Sequence, residues 1–304
     1  MRLLARSLIV FLAFHSIGCL LALRKITQES AIEIKVGPDT RRYILHVPKS
    51  YQSSRPVPLV VVLHGGGGNG RIGASMSGFT KKSDEEGFIV VYPFGWGRFD
   101  ETLLTWNAGN CCGKALTDNK DDVAFIRAVV QNIKGQYAVD SSRVYATGMS
   151  NGGMMTHRLA CEAADVFTGV APVSGALNFE PCKPSRPIPM VIFHGRDDQH
   201  VLYEGGEPHK NPDSHKRTDR SVAFAVGFWK NQNGCKDVIV TKSGKVEHTH
   251  FVCDRAPLDL YSIDDEGHTW PGGEKGRLTA DEPSREISAT NVMWQFWADS
   301  HKAN

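Results

Sequence analysis

The sequence predicts an α/β domain: a mostly parallel central sheet with helices on both faces. Three observations carry this expectation. Pro58 to Leu63, Phe88 to Tyr92, Thr168 to Val173 and Met190 to Phe193 are continuous apolar runs without polar alternation, the pattern of strands buried on both faces. Between such runs lie stretches with apolar residues at helical spacing. Several runs end in turns rich in glycine, histidine and aspartate, and in parallel sheets chemistry collects at the carboxyl ends of strands.

Taken in order, Arg2 and Arg6 precede an apolar stretch from Leu8 to Phe14, with small residues at Ser16 and Gly18, so residues 1–23 read as a secretory signal. Gly18-Cys19 leaves open lipoprotein processing with Cys19 acylated; the alternatives are cleavage near Ala22 or an uncleaved anchor. Residues 30–304 read as one catalytic-sized domain with no dividing linker. Ala31 to Val36 and Arg42 to Val47 form an antiparallel hairpin around Gly37-Pro38-Asp39. The buried strand Pro58 to Leu63 follows, then a helix from Ser75 to Glu86, the strand Phe88 to Tyr92, and a long loop from Gly95 to Gly113. Asp121-Asp122 caps a helix from Val123 to Tyr137, with Phe125, Ile126, Val129, Val130 and Ile133 on its apolar face. Strand Val144 to Thr147 and helix Met154 to Ala160 come next, then Thr168 to Val173 and Met190 to Phe193. The polar, loop-like stretch His200 to Arg217 is a candidate rim over a site. Asp219 to Asn233 reads as a helix, Val238 to Thr241 and His248 to Val252 as a hairpin, Leu258 to Ile263 as a strand, and Ser288 to His301 as a closing amphipathic helix.

The 304 residues carry a net charge of +2, with 41% hydrophobic and 22% charged content, which fits an ordinary globular protein. No Lys/Arg run is long enough to track phosphates, so nucleic acid is not an expected partner. Of seven cysteines, Cys19 falls in the leader. The even remainder in an exported chain suggests three disulfides. Cys235 and Cys253 flank the hairpin and are expected to pair. For the other four, adjacent Cys111 and Cys112 are expected to reach different partners, Cys161 and Cys182. No C-x-x-C spacing supports a thiolate metal site.

Four strand ends carry residues suited to one chemistry. In Arg143 to Met155, the pattern Gly148-x-Ser150-x-Gly152 places a serine at a sharp strand-to-helix turn, where only glycine leaves room on either side. The helix N-terminus there favours negative charge. His64-Gly65-Gly66-Gly67-Gly68 follows the strand PLVVVL; such a run turns backbone N–H groups toward a developing oxyanion, with the N–H of Asn151 as second donor. A phosphate loop is disfavoured because no G-K-[ST] follows. His194-Gly195-Arg196-Asp197-Asp198 follows a third strand and offers a histidine-orienting carboxylate from Asp197 or Asp198. Gly267-His268-Thr269-Trp270-Pro271 supplies a histidine as general base. The order Ser, Asp, His is that of α/β-hydrolases. Trp106, Met149 and Trp270 are candidate walls of an acyl pocket.

Together GMSNGG, LHGGGGN, HGRDDQHVLY, GHTWPGG and WNAGNCCG followed by DDVAFI resemble the secreted polyhydroxybutyrate depolymerase/feruloyl esterase group of α/β-hydrolases, which includes acetylxylan esterases of carbohydrate-esterase type. The resemblance runs from about Arg41 to Trp297. It implies a serine esterase with Ser150 as nucleophile, Asp198 as acid, His268 as base and Gly66 as oxyanion donor, without a cofactor. It implies feruloyl or acetyl esters of polysaccharides, or hydroxyalkanoate esters, as substrates. No appended polymer-binding module is read in the sequence, which weakens the solid-polyester reading and favours a soluble ester or a plant or algal polysaccharide ester. Alternatives are a serine peptidase of similar fold, a silent binding module on this scaffold, and a metal-binding role for His200, His209, His215, His248 and His250. Of these histidines only His248-x-His250 has ligand-like spacing, and exposed loop histidines are the preferred account, so no metal is expected.

Overall fold

The computed structural model describes residues 30–210, 216–276 and 280–302. The signal expected over residues 1–23 and part of the expected rim, including His215, lie outside these residues.

The strands are β1 (Ile32–Val36), β2 (Asp39–His46), β3 (Val57–Leu63), β4 (Ile89–Pro93), β5 (Val139–Met149), β6 (Gly169–Val173), β7 (Met190–Gly195), β8 (Cys235–Ser243), β9 (Val246–Cys253) and β10 (Leu258–Ile263). They form one sheet in the order β1-β2-β4-β3-β5-β6-β7-β10-β9-β8. The six strands from β4 to β10 pair in parallel, and an antiparallel hairpin closes each edge. The expected mostly parallel α/β architecture is therefore present. The helices are α1 (Gly70–Ser77), α2 (Phe79–Glu86), α3 (Gly113–Thr117), α4 (Asp122–Gln136), α5 (Asn151–Glu162), α6 (Val222–Asn233) and α7 (Ala289–Lys302).

Strand β3 shows why the runs are unbroken. Leu59, Val61 and Leu63 pack with Phe125, Ile126 and Val129 of α4 and Leu159 of α5 on one face. Val60 and Val62 pack with Met76, Phe79 and Trp297 on the other. Successive side chains of a strand point to opposite faces, so a sheet covered twice needs apolar residues at every position. On the second face Trp297 stacks on Tyr145 at 4.6 Å between ring centroids.

Two expectations need correction. The single helix over Ser75 to Glu86 is two helices, because Gly78 adopts φ 70°; a left-handed glycine ends α1, whose first turn begins earlier, capped by Asn69 through a bond from the Ile72 N–H. The cysteine pairing also differs. Cys235 joins Cys253 as expected, but Cys161 joins Cys182 and Cys111 joins Cys112. The reason is distance. Cys111 lies against the start of α5, where Asn151 Nδ2 is 3.7 Å from its Sγ. Cys161 sits roughly ten residues further along that helix, about 15 Å away, beyond the reach of a disulfide. Cys182 comes back to it, with Cα atoms 4.8 Å apart.

Non-reducing peptide mapping is expected to recover Cys161 linked to Cys182 and Cys235 linked to Cys253, with Cys111 and Cys112 oxidised within one peptide. Recovery of Cys111 or Cys112 bonded to Cys161 contradicts this arrangement. Replacing both Cys161 and Cys182 by alanine should lower unfolding stability by about 3 kcal/mol, from the loop that the bond closes.

Candidate active site

The centre of the site is the turn between β5 and α5. Ser150 has φ 59° and ψ −123°, a region that costs a non-glycine residue about 1–3 kcal/mol. Neighbouring backbone holds it there: its N–H donates to Val173 O at 2.9 Å, and its carbonyl accepts from Met154 N at 2.8 Å. Its hydroxyl makes no capping bond to the helix. The glycines around it are required by contact. A Cβ on Gly148 would sit 2.6 Å from Gly152 O, and one on Gly152 would sit 2.5 Å from both Leu63 O and His64 O. The turn is tight because β3, β5 and α5 meet there through bare backbone.

The carboxyl end of β3 is equally constrained. His64 is fully buried. Its Nε2 accepts from Gly95 N at 3.0 Å, and its Nδ1 lies 2.8 Å from Gly65 O, so Nδ1 carries the proton. The ring orients the glycine run beside Ser150. A Cβ on Gly65 would touch the Ser150 Cβ at 3.4 Å.

His268 lies beyond β10. Its Nδ1 is 2.7 Å from Asp198 Oδ2. The other carboxylate oxygen of Asp198 accepts the backbone N–H groups of His200 at 2.8 Å and Val201 at 2.9 Å. Asp198 is 1% exposed, whereas Asp197 is exposed. Burial acts to raise the Asp198 pKa. The charge and hydrogen bond of His268, the charge of His194 and the Val201 N–H outweigh it and hold the carboxyl at about 2. The His268 loop is pinned from behind, since His268 N donates to Asp281 Oδ2 at 2.9 Å. Glu266 accepts the Thr269 hydroxyl and the Ser284 N–H.

Ser150 and His268 line one cavity of about 510 Å³, together with Gly66, Met149, Asn151 and Trp270. Its further apolar walls are Ile72, Met76, Leu103 and Met154. This volume suits a small-molecule site. Trp106 is the expected wall that the structure does not place there. It is fully buried and braces the site from outside: its indole N–H donates to His64 O at 2.9 Å. Its backbone is clasped by the Asn151 amide, which accepts from Trp106 N at 2.6 Å and donates to Trp106 O at 3.0 Å. The next residue, Asn107, donates its N–H to Asp122 at 2.8 Å, and Asp122 pairs with Arg41 at 2.7 Å in the interior.

Two residues of the expected rim and one unexpected feature also line the cavity. His200 lines it, its ring centroid 4.8 Å from that of His268; burial first, then the charge of His268, lowers its pKa. Arg217 also lines it and donates to His200 O at 2.7 Å, so both ends of the expected rim reach the site. The Cys111–Cys112 pair forms part of the wall. Nothing in the sequence signals the last, whereas the polar stretch His200 to Arg217 was legible as a rim. His248 and His250 lie half-buried on β9, in the strand expected over His248 to Val252, and not on an exposed loop.

Known esterases are similar to this chain in sequence and in fold. The Esterase PHB depolymerase family matches residues 41–201. The chain is 31% identical over 263 residues to NocK of Nocardia uniformis subsp. tsuyamanensis, a protein named as an esterase, covering 80% of this chain and 74% of that one. It is 31% identical over 261 residues to feruloyl esterase C of Emericella nidulans, covering 84% and 83%. Among solved structures, an acetyl xylan esterase from Aspergillus awamori superposes with a TM-score of 0.56 at 19% identity, over 79% of this chain and 94% of that one, a likeness of fold.

Two outcomes follow from the geometry. Gly152→Ala pushes a methyl into the β3 backbone and should lower stability by about 3 kcal/mol or more, read by urea unfolding. Because the folded pKa of Asp198 is depressed from 3.8 to about 2, its contribution to stability is present above about pH 4 and lost as pH falls through about 2. Between those limits the wild type should lose about 2 kcal/mol that Asp198→Asn does not lose; identical acid profiles would contradict the ionised, paired carboxylate.

Proposed function

The chain belongs to the Esterase PHB depolymerase family and is a carboxylic ester hydrolase, and from that premise we propose that it works through a Ser150–His268–Asp198 triad and an acyl-enzyme. One observation carries the reading most: Asp198 holds the His268 imidazole at 2.7 Å, on the wall of the same cavity into which the strained turn brings Ser150.

In this reading His268 takes the Ser150 proton as the hydroxyl attacks the ester carbonyl. Asp198 accepts from Nδ1, which leaves Nε2 as the basic nitrogen, and its charge stabilises the imidazolium. The backbone N–H groups of Gly66 and Asn151 receive the oxyanion. Support for Asn151 comes from its place in the first turn of α5, where helix N–H groups have no partner within the helix. His268 then protonates the leaving alcohol and later draws a proton from the water that hydrolyses the acyl-enzyme. Asp198 stays ionised across the neutral range, as its depressed pKa requires.

The relatives named as feruloyl esterases and the apolar walls Ile72, Met76, Leu103, Met149, Met154 and Trp270 favour an ester whose acyl part is aromatic or acetyl and whose alcohol is a polysaccharide hydroxyl, ahead of hydroxyalkanoate polyester. Export is part of the proposal. Three disulfides among the described residues suit an oxidising compartment, in keeping with the leader read at residues 1–23.

Ser150→Ala should cut hydrolysis of a nitrophenyl acetate by about 10⁴-fold or more in a protein that melts like the wild type; wild-type turnover in that variant rejects the triad. On a panel of methyl ferulate, acetylated xylan and hydroxybutyrate oligomers, one of the first two should be turned over faster than the oligomers.

A further inference from the structure

At the amino end of β10, away from the cavity, two imidazoles and one carboxylate converge. His250 and Asp259 face each other across the β9–β10 ladder, and His248, two residues along β9, faces Tyr261. Period-two alternation puts His248 and His250 on one face of the sheet, the face to which Asp259 also points. Asp259 Oδ1 lies 2.7 Å from His250 Nδ1, and Oδ2 lies 3.0 Å from His248 Nε2. One nitrogen from each histidine and a carboxylate oxygen all lie within 4.8 Å of one another, the only such group among the described residues.

We propose that His248, His250 and Asp259 form a binding site for a divalent first-row transition ion of the zinc type. Three features argue for a ligand set. The donors are two imidazoles and a carboxylate, the mixture that suits zinc and its neighbours rather than calcium or magnesium. The His248 ring is fixed in orientation by stacking on Tyr261, 4.3 Å between centroids and 2° between planes, as preorganised ligands are. The carboxylate is 7% exposed yet borders a second cavity of about 430 Å³, lined also by Phe296 and Asp299 of α7, which gives an ion an entry path and open positions for water. Ligand atoms around such an ion stand about 3.4 Å apart, so small side-chain rotations convert the existing triangle into a first shell. The ion replaces the hydrogen that each imidazole points at Asp259, and each ring carries its proton on the other nitrogen instead. The bound ion ties β9 to β10, the strand that leads into the His268 loop, from the end opposite the cavity. The site is a structural clamp and is independent of the triad.

The test is zinc binding by the chelator-treated full chain, followed by calorimetry and by metal analysis after dialysis. One zinc per chain is expected, with a rise in melting temperature as zinc is added. His248→Asn/His250→Asn should weaken binding by about 10-fold or more and abolish the shift. Asp259→Asn, which keeps the size of the side chain, should do the same. All should hydrolyse nitrophenyl acetate at the wild-type rate without zinc, which shows that they fold. Failure of wild-type protein to take up zinc at tens of micromolar overturns the site, as does binding that is unchanged in both variants.

Discussion

The close approach of β3, β5 and α5 through bare backbone is the constraint on which the rest of the site depends. Leu63 O and His64 O occupy the space that a side chain on Gly152 would need, and Gly152 O the space that one on Gly148 would need. With that space closed, the chain between the two glycines has one way to turn. Ser150 is held at φ 59°, on the lining of the cavity. The strain is local, about 1–3 kcal/mol. It is offset by the two apolar layers that β3 helps to bury, one built with α4 and α5 and the other with α1, α2 and α7.

The electrostatics follow from the same packing. Asp198 is a buried carboxylate, and a buried charge persists only with partners. It has three at hydrogen-bond distance: the His200 and Val201 N–H groups and the His268 imidazole. The arrangement fixes the tautomer of His268, which also lines the cavity. Farther out, the Asn151 amide and the Asp122 carboxylate hold adjacent residues of one loop, Trp106 and Asn107. The buried Arg41–Asp122 pair thereby helps to position that loop.

Much of this was legible in the sequence, for identifiable reasons. The elbow could be read because its requirement is steric and local, and glycine alone meets it. The strands could be read because burial on both faces forbids polar alternation. Asp198 and Asp197 could not be separated by pattern; adjacent residues differ only in which way the backbone turns after β7, and the resemblance to a family chose between them as burial now does. Trp106 and the cysteines were misplaced because the loop from Gly95 to Gly113 is set by long-range bonds to Asn151, Asp122 and His64. No local spacing encodes those. The His248-x-His250 spacing was visible, but its third member comes from β10, and only the strand register brings Asp259 opposite His250.

The central claim is that one serine, made accessible by a strained turn and faced by a carboxylate-held imidazole, is the nucleophile. Reaction of the native protein with a fluorophosphonate, followed by peptide mass mapping, tests this most directly. The account predicts a single stoichiometric adduct on Ser150, lost when His268 is replaced by alanine. An unlabelled Ser150, or an adduct on another residue at comparable rate, would contradict it.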